Sequence, residues 1–261
     1  MGIFRRNWNK PGPGVEKDAP RKKGLARFFE LIGRDFGGLV KVNLLYQLCL
    51  LPAQACVLAS VLFFVGGYQS LFLLFLLLAL AGSVLVGPAG AAMNYCITKM
   101  LRDEPGFIWH DFKRVFKRTF RGMAAPGVLY ALILVAQVYA LLYYGTAAGA
   151  SASVPMVITY LLSSLLFAMA SPYLFLQGAY LQLKMGGLLK NSVLLSVGFF
   201  LRSLASALIH SVFLLLQLRL FPLLLPLTLL CGYALPCLLG LMWIWPPFEE
   251  TFELSMEQET L

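Results

Sequence analysis

The sequence predicts an all-α fold: a polytopic membrane protein of about six transmembrane helices, five on a stricter count, with amphipathic cytoplasmic interfacial helices and both termini in the cytoplasm. Three observations predict it. Of 261 residues, 59% are hydrophobic and 13% charged, far too apolar for a domain with a hydrated surface. Apolar runs near the roughly 20 residues that a helix needs to cross a bilayer recur at 42–65, 71–92, 124–144, 154–182, 203–220 and 223–245. The basic residues fall on one side: 1–41 hold ten Lys/Arg, 99–121 seven and 184–202 three, 66–70 and 145–153 hold none, and Arg219 alone lies opposite. Basic loops stay inside, which places both termini on the cytoplasmic side.

Residues 1–24 mix Pro, Gly and both charge signs without an apolar period and read as a disordered basic tail able to rest on anionic lipid. Residues 25–247 form a single transmembrane helical domain, and 248–261, with five Glu and no basic residue, an acidic cytoplasmic tail. The first apolar run follows about 40 mostly polar residues and lacks a small-residue cleavage pattern, so the first span itself directs insertion.

A helical pattern begins near Leu25, where GLARFFELIGRDFGGLVKVNLL sets Phe28, Phe29, Leu31 and Ile32 against Arg27, Arg34 and Asp35. Span two carries Ala79, Ser83, Gly87 and Ala91 four residues apart, a small-residue ridge that lets another helix approach closely where lipid offers no hydrophobic drive. An internal helix contact is the expected use, and a homodimer seam the alternative. Pro88, Pro172 and Pro236 fall inside spans, where each is expected to kink its helix.

Between spans two and three lies PGFIWHDFKRVFKRTFRG, residues 105–122. At 100° per residue Ile108, Trp109, Phe112, Val115, Phe116 and Phe120 share one arc, and His110, Lys113, Arg114, Lys117, Arg118 and Arg121 the opposite one. The expectation is an interfacial helix lying flat on the inner leaflet with its Phe row in the acyl boundary. LKMGGLLKNSVLLSVGFFLRS precedes span five similarly, so three helical hairpins, each led by such a stretch, form a candidate repeat.

The search for chemistry returns mostly exclusions. None of the twelve Asp and Glu lies within the six spans, so the carboxylate of an ion- or proton-coupled pump is missing. Cys49, Cys56, Cys96, Cys231 and Cys237 form no CxxC pair, and the two histidines, His110 and His210, are far apart, so no metal site is expected. GxxxxGK[ST], HExxH and GxSxG are absent. No catalytic residue and no cofactor is expected; the chain does not read as an enzyme. Nucleic acid is set aside because basic residues flanking membrane spans have anionic lipid at hand, at about 1 kcal/mol each. One polar stripe stands out: Arg202, Ser206, His210 and Gln217 cluster on one face of span five. A polar path through that span is one reading. Arg202 reaching back to the headgroups and His210 bonding a neighbouring helix is the other.

VGPAGAAMNYCITKMLRDEPGFIWHDFKRVFKRTFRG resembles the YesL-like family of small bacterial membrane proteins, the domain of unknown function 624. Its pattern has a Gly-Pro followed by small residues, an aromatic-basic exit and an FxxDFFxxFKxNFxQ-type helix. The matching residues here are Gly87, Pro88, Ala91, Ala92, Tyr95, Lys99, Arg102, Phe107, Asp111, Phe112, Phe116, Lys117 and Phe120. GRDFGGLVKVNLLYQLCLLP, with Asn43 and Pro52, resembles the family's opening, and LKNSVLLSVGFFLRSLASAL gives a third match. Lys113, Thr119 and Gly122 depart from the pattern. The resemblance implies a non-catalytic accessory membrane subunit beside the permease and ATPase of a carbohydrate ABC importer. The chain lacks the EAA-type loop by which such permeases grip their ATPase. A stand-alone small-solute transporter or channel, and a membrane-organising or regulatory protein acting through the basic helix, are the alternatives.

Overall fold

A computed structural model of the chain describes residues 22, 24–144, 153–220, 223 and 225–253. The expected tail 1–24 and the 145–153 loop lie almost wholly outside these residues, as do 254–261. Among the described residues every regular element is helical: α1 (Gly24–Val65), α2 (Gln69–Gly82), a 3-10 turn (Ser83–Leu85), α3 (Val86–Leu101), α4 (Ile108–Tyr144), α5 (Val154–Tyr180), α6 (Met185–Gly198), α7 (Phe200–Arg219), α8 (Leu225–Cys231) and α9 (Ala234–Thr251). Five spans are long and apolar enough to cross a membrane, with α2 and α3 together forming one. The α8/α9 pair, bent by 51°, makes a sixth if taken as one broken span. The molecule is a multi-pass helical membrane protein whose outer faces expose Leu48, Leu58, Leu62, Leu77, Leu161 and Leu208.

α3 is the axis of the bundle. Every residue from Val86 to Thr98 is buried, the signature of a helix surrounded on all sides, and α1, α4, α5 and α9 pack around it. The GPAGAA stretch makes this possible, because small side chains bring neighbouring backbones close.

Several expectations are corrected. The amphipathic segment 105–122 is not a separate helix lying flat between two spans: from Ile108 it runs without a break into span three as α4, 37 residues long. At about 1.5 Å per residue α4 measures about 55 Å, against about 30 Å of hydrocarbon, so several turns project beyond the span. Its apolar face meets protein, with Phe112 and Val115 buried in the main core and Phe116 packed against it. Only the ends of the Phe-Trp row stay open, Phe120 at 36% and Trp109 at 64% exposure. α1 likewise joins its leading stretch to span one, with non-helical angles only at Asp35 (φ −114°, ψ 17°). The third leading stretch differs, since α6 is separated from α7 at Phe199 (φ −109°, ψ 47°). Pro88 and Pro236 do not kink helix interiors. Each sits in the first turn of a new helix, α3 and α9, where its missing N–H costs nothing; Pro172 does lie inside α5, as Pro52 does inside α1. The acidic tail starts later than residue 248, because α9 runs to Thr251 with Phe248 fully buried.

Candidate functional site

The last span is broken at Gly232–Tyr233, and a break inside an apolar bundle leaves backbone groups that water cannot reach. One side chain satisfies most of them. Asn43 of α1, fully buried, donates its Nδ2 to Thr228 O at 3.0 Å and Leu229 O at 2.8 Å. Its Oδ1 accepts from Tyr233 N at 2.8 Å and Ala234 N at 3.0 Å. A carboxamide carries both donors and acceptors, so one residue closes the C-terminal end of α8 and the N-terminal end of α9. Gln217 of α7 donates to Gly232 O at 2.9 Å, and Gln54 of α1 to the Tyr233 hydroxyl at 3.1 Å.

Beside this break lies a central cavity of about 220 Å³ to which α1, α3, α4, α5, α7 and α9 all contribute. Its polar lining is neutral: Tyr46, Asn94, Tyr130, Ser171, His210, Gln217 and Tyr233 line it, with no Asp, Glu, Lys or Arg. His210 Nδ1 lies 2.8 Å from Ser206 O. A carbonyl only accepts, so Nδ1 carries the proton, and a neutral ring leaves Nε2 as an acceptor. Asn94 is tied locally, its Nδ2 donating to Gly90 O at 2.8 Å. The arrangement can hold a small neutral molecule by apolar contact and a few hydrogen bonds. Among the described residues no group of three or more His, Cys, Asp or Glu is placed to hold a metal, and all five cysteines are free thiols.

Of the polar stripe expected on span five, the structure assembles three of four members. Ser206 is buried against Gly240 of α9, and His210 and Gln217 line the cavity. Arg202 is exposed and does not line it. Ser203, which sequence reasoning passed over, is buried, donates to Phe199 O at 2.9 Å and accepts from the Tyr173 hydroxyl at 3.2 Å. Gln177 donates to Ser192 at 2.9 Å, tying α5 to α6. Tyr46, Tyr130 and Tyr233 were also missed, since an aromatic in an apolar run carries no mark of facing a cavity.

The small-residue ridge of span two is occupied from within the chain. A Cβ on Gly87 would meet Met123 O at 1.8 Å and Gly127 Cα at 3.0 Å, so α3 and α4 cross backbone to backbone. Ala79, Ser83 and Ala91 are buried too, and Pro52 of α1 lies near Gly82.

At the basic end of the bundle the start of α1, the α3–α4 turn and the ends of α5 and α9 meet. α3 ends in a Schellman motif: Glu104 N donates to Lys99 O at 2.9 Å and Asp103 N to Met100 O at 3.3 Å. Asp103 takes the left-handed position (φ 64°) usually given to Gly. Two arginines of α1 hold it there. Arg27 donates to both Asp103 carboxylate oxygens at 2.7 Å and to Leu101 O at 3.3 Å. Arg34 pairs with Asp103 and donates to Met100 O at 2.9 Å. Cations suit the negative end of a helix. Arg102 pairs with Glu104 at 2.7 Å and approaches Glu249 of α9 at 3.7 Å. Buried Asp111 takes Lys99 at 3.2 Å and Arg114 at 3.1 Å, and Arg118 donates to Ala179 O at 2.6 Å. Lys117 is exposed.

Burial works to raise the Asp103 carboxyl, but the hydrogen bonds and charges of Arg27 and Arg34 outweigh it and hold the pKa below its ordinary value. Hydrogen bonding to Asp35 raises Arg34, against burial and with help from Asp103. A depressed carboxylate stabilises the fold above its unfolded pKa, and that contribution is lost as pH falls through the lower folded value. The α1–α3 junction is therefore expected to loosen only in acid, below the ordinary carboxylate range. Proteolysis or hydrogen exchange of residues 99–107 against pH checks this. Asp103→Asn, which tolerates the left-handed backbone, should abolish the acid step and leave a junction that is looser at neutral pH.

A family model described as a protein of unknown function, DUF624, matches residues 68–141. That stretch of the chain is similar to this family. The DUF624 segment holds α2, the 3-10 turn, α3, the Asp103 turn and nearly all of α4, and so the Gly87 crossing and the Asp111 cluster. Asn43, the α8/α9 break and the stripe on α7 lie outside it. No curated protein and no solved structure matches the chain.

Proposed function

We propose that this protein is a non-catalytic accessory membrane subunit of a carbohydrate ABC importer in a bacterial plasma membrane, with both termini and the basic end of the bundle in the cytoplasm. The observation that supports it is the way α4 is built. Its projecting turns are fixed to the body through Phe112, Val115 and the Asp111 cluster, while Lys113 and Lys117 stand exposed without ion pairs among the described residues. A rigid helix presenting unpaired cations loses little entropy on docking and steers acidic partners. The family resemblance supplies the importer as partner, and the distribution of basic residues supplies the orientation.

Gentle affinity capture of the tagged chain from its native membrane is the test. Recovery of a sugar-importer permease with its ATPase is expected, falling as salt rises and falling further in Lys113→Gln/Lys117→Gln. Recovery of the chain alone, as monomer or homodimer, overturns the accessory reading. The weight then shifts to a stand-alone path for a small solute, a reading favoured by the central cavity, which touches Gly232–Tyr233 at the break between α8 and α9. Broken helices around a cavity at mid-span are a transporter feature. Here, however, Asn43 and Gln217 occupy backbone groups that a coupling ion would need.

A further inference from the structure

A second concavity, at the basic end, has a different character. It measures about 570 Å³ and lies between α4 and the α5–α6 connection. Arg118, Arg121 and Lys184 line it, and no Asp or Glu does. Elsewhere at this end the cations Arg27, Arg34, Lys99, Arg102 and Arg114 each have a carboxylate. Arg121 and Lys184 make no ion pair among the described residues, and Arg118 is bound only to a backbone carbonyl. Three like charges converging on one hollow repel one another unless an anion joins them.

The remaining lining says what kind of anion. Met123, Pro126, Leu181, Leu183 and Leu188 form apolar walls, so the hollow offers cations on one side and hydrocarbon contact on the other. Its level fits the same ligand. Arg118 bonds to the last turn of α5, and Pro126 already belongs to the apolar stretch of α4, so the hollow straddles the depth at which charged helix becomes membrane span. We propose that this hollow binds the headgroup of one anionic phospholipid, with Arg121 and Lys184 on the phosphate oxygens and the glycerol and upper acyl chain along the Leu and Met walls. Guanidinium and ammonium groups are the usual partners of phosphate, and basic pockets between spans are where anionic headgroups are held. The site also relieves a local conflict. Lys184 is the N-cap of the 14-residue α6 with no side-chain cap, a cation at the positive end of a helix dipole, and a phosphate there reverses the sign of the interaction.

The experiment is native mass spectrometry of the full chain, released from phosphatidylcholine nanodiscs and titrated with phosphatidylglycerol. One phosphatidylglycerol per chain is expected to be retained saturably, with about tenfold or greater weakening in Arg121→Gln/Lys184→Gln. Lys113→Gln/Lys117→Gln, which removes the same charge outside the hollow, should bind as the parent does. Phosphatidylglycerol should raise the thermal midpoint of the parent chain and leave that of Arg121→Gln/Lys184→Gln unmoved. Equal weakening in both double variants would reduce the effect to diffuse surface attraction. Displacement by an equal concentration of glycerol 3-phosphate would make it a site for a soluble phosphate compound. Either result, or no retained lipid, overturns the proposal.

Discussion

Asn43→Ala is expected to destabilise the bundle by about 3 kcal/mol, the largest effect of any single polar substitution in the spans. The substitution strips Leu229 O and the amides of Tyr233 and Ala234 of their partner at once, while Thr228 O keeps the Gly232 amide at 3.1 Å. A lone hydrogen bond between membrane helices is worth well under about 2 kcal/mol, because the unfolded chain in lipid finds other partners. Three groups at a break have no such escape, since α8 and α9 would have to reform as one continuous helix, and the packing of Tyr233 on Tyr46, with ring centroids 5.4 Å apart, opposes that. Asn43→Asp should do no better than Ala: the carboxylate keeps the two amides but faces Thr228 O and Leu229 O as a third and fourth acceptor. Asn94→Ala is the control. It loses a bond within its own helix and a 3.7 Å contact from Cys237 Sγ, and should cost about 1 kcal/mol or less. Unfolding in bicelles by a denaturing detergent measures all three. If Asn43→Ala costs no more than Asn94→Ala, packing alone holds the break.

The same residue shows how far the sequence could be read. Spans, helical class and the small-residue ridge follow from hydropathy and spacing, which act over many residues and tolerate local error. Asn43 was visible as a polar residue at the start of span one and as a motif position, but its four partners are about 190 residues away, and nothing in its neighbours encodes them. The separation of Arg202 from His210 has a similar cause: both fall on one projected face, yet the face is divided along its length, and only the deeper part meets α9. Asp103 and its two arginines were hidden because the Schellman turn uses an Asp where the expected signal is Gly. The flat interfacial helix was misread for a physical reason. Amphipathicity reveals that one face is covered and not whether lipid or protein covers it, and here α4 spends Phe112 and Val115 on its own core.

Gly87→Ala is expected to cost about 3 kcal/mol or to prevent folding, because its new methyl would sit 1.8 Å from Met123 O, and the obstacle is backbone. Relief requires moving α4 away from α3, the axis around which α1, α5 and α9 also pack. Gly127→Ala meets the same crossing from the other side, at 2.4 Å from Gly87 N, so the two variants should be equally damaging and non-additive when combined. Gly178→Ala provides a graded comparison. Its Cβ would strike Met123 Sδ at 2.3 Å, but a methionine side chain can turn away, so the loss should be smaller. Gly122→Ala, with nothing within 4 Å, should be neutral or stabilising by up to about 1 kcal/mol through helix propensity. Thermal unfolding in a lipid bilayer ranks the four. The series also separates an internal crossing from a homodimer seam on the same ridge. A seam would make the Gly87→Ala loss depend on protein concentration and leave the monomer's unfolding unchanged, whereas the crossing of α3 and α4 predicts a loss that is the same at every dilution.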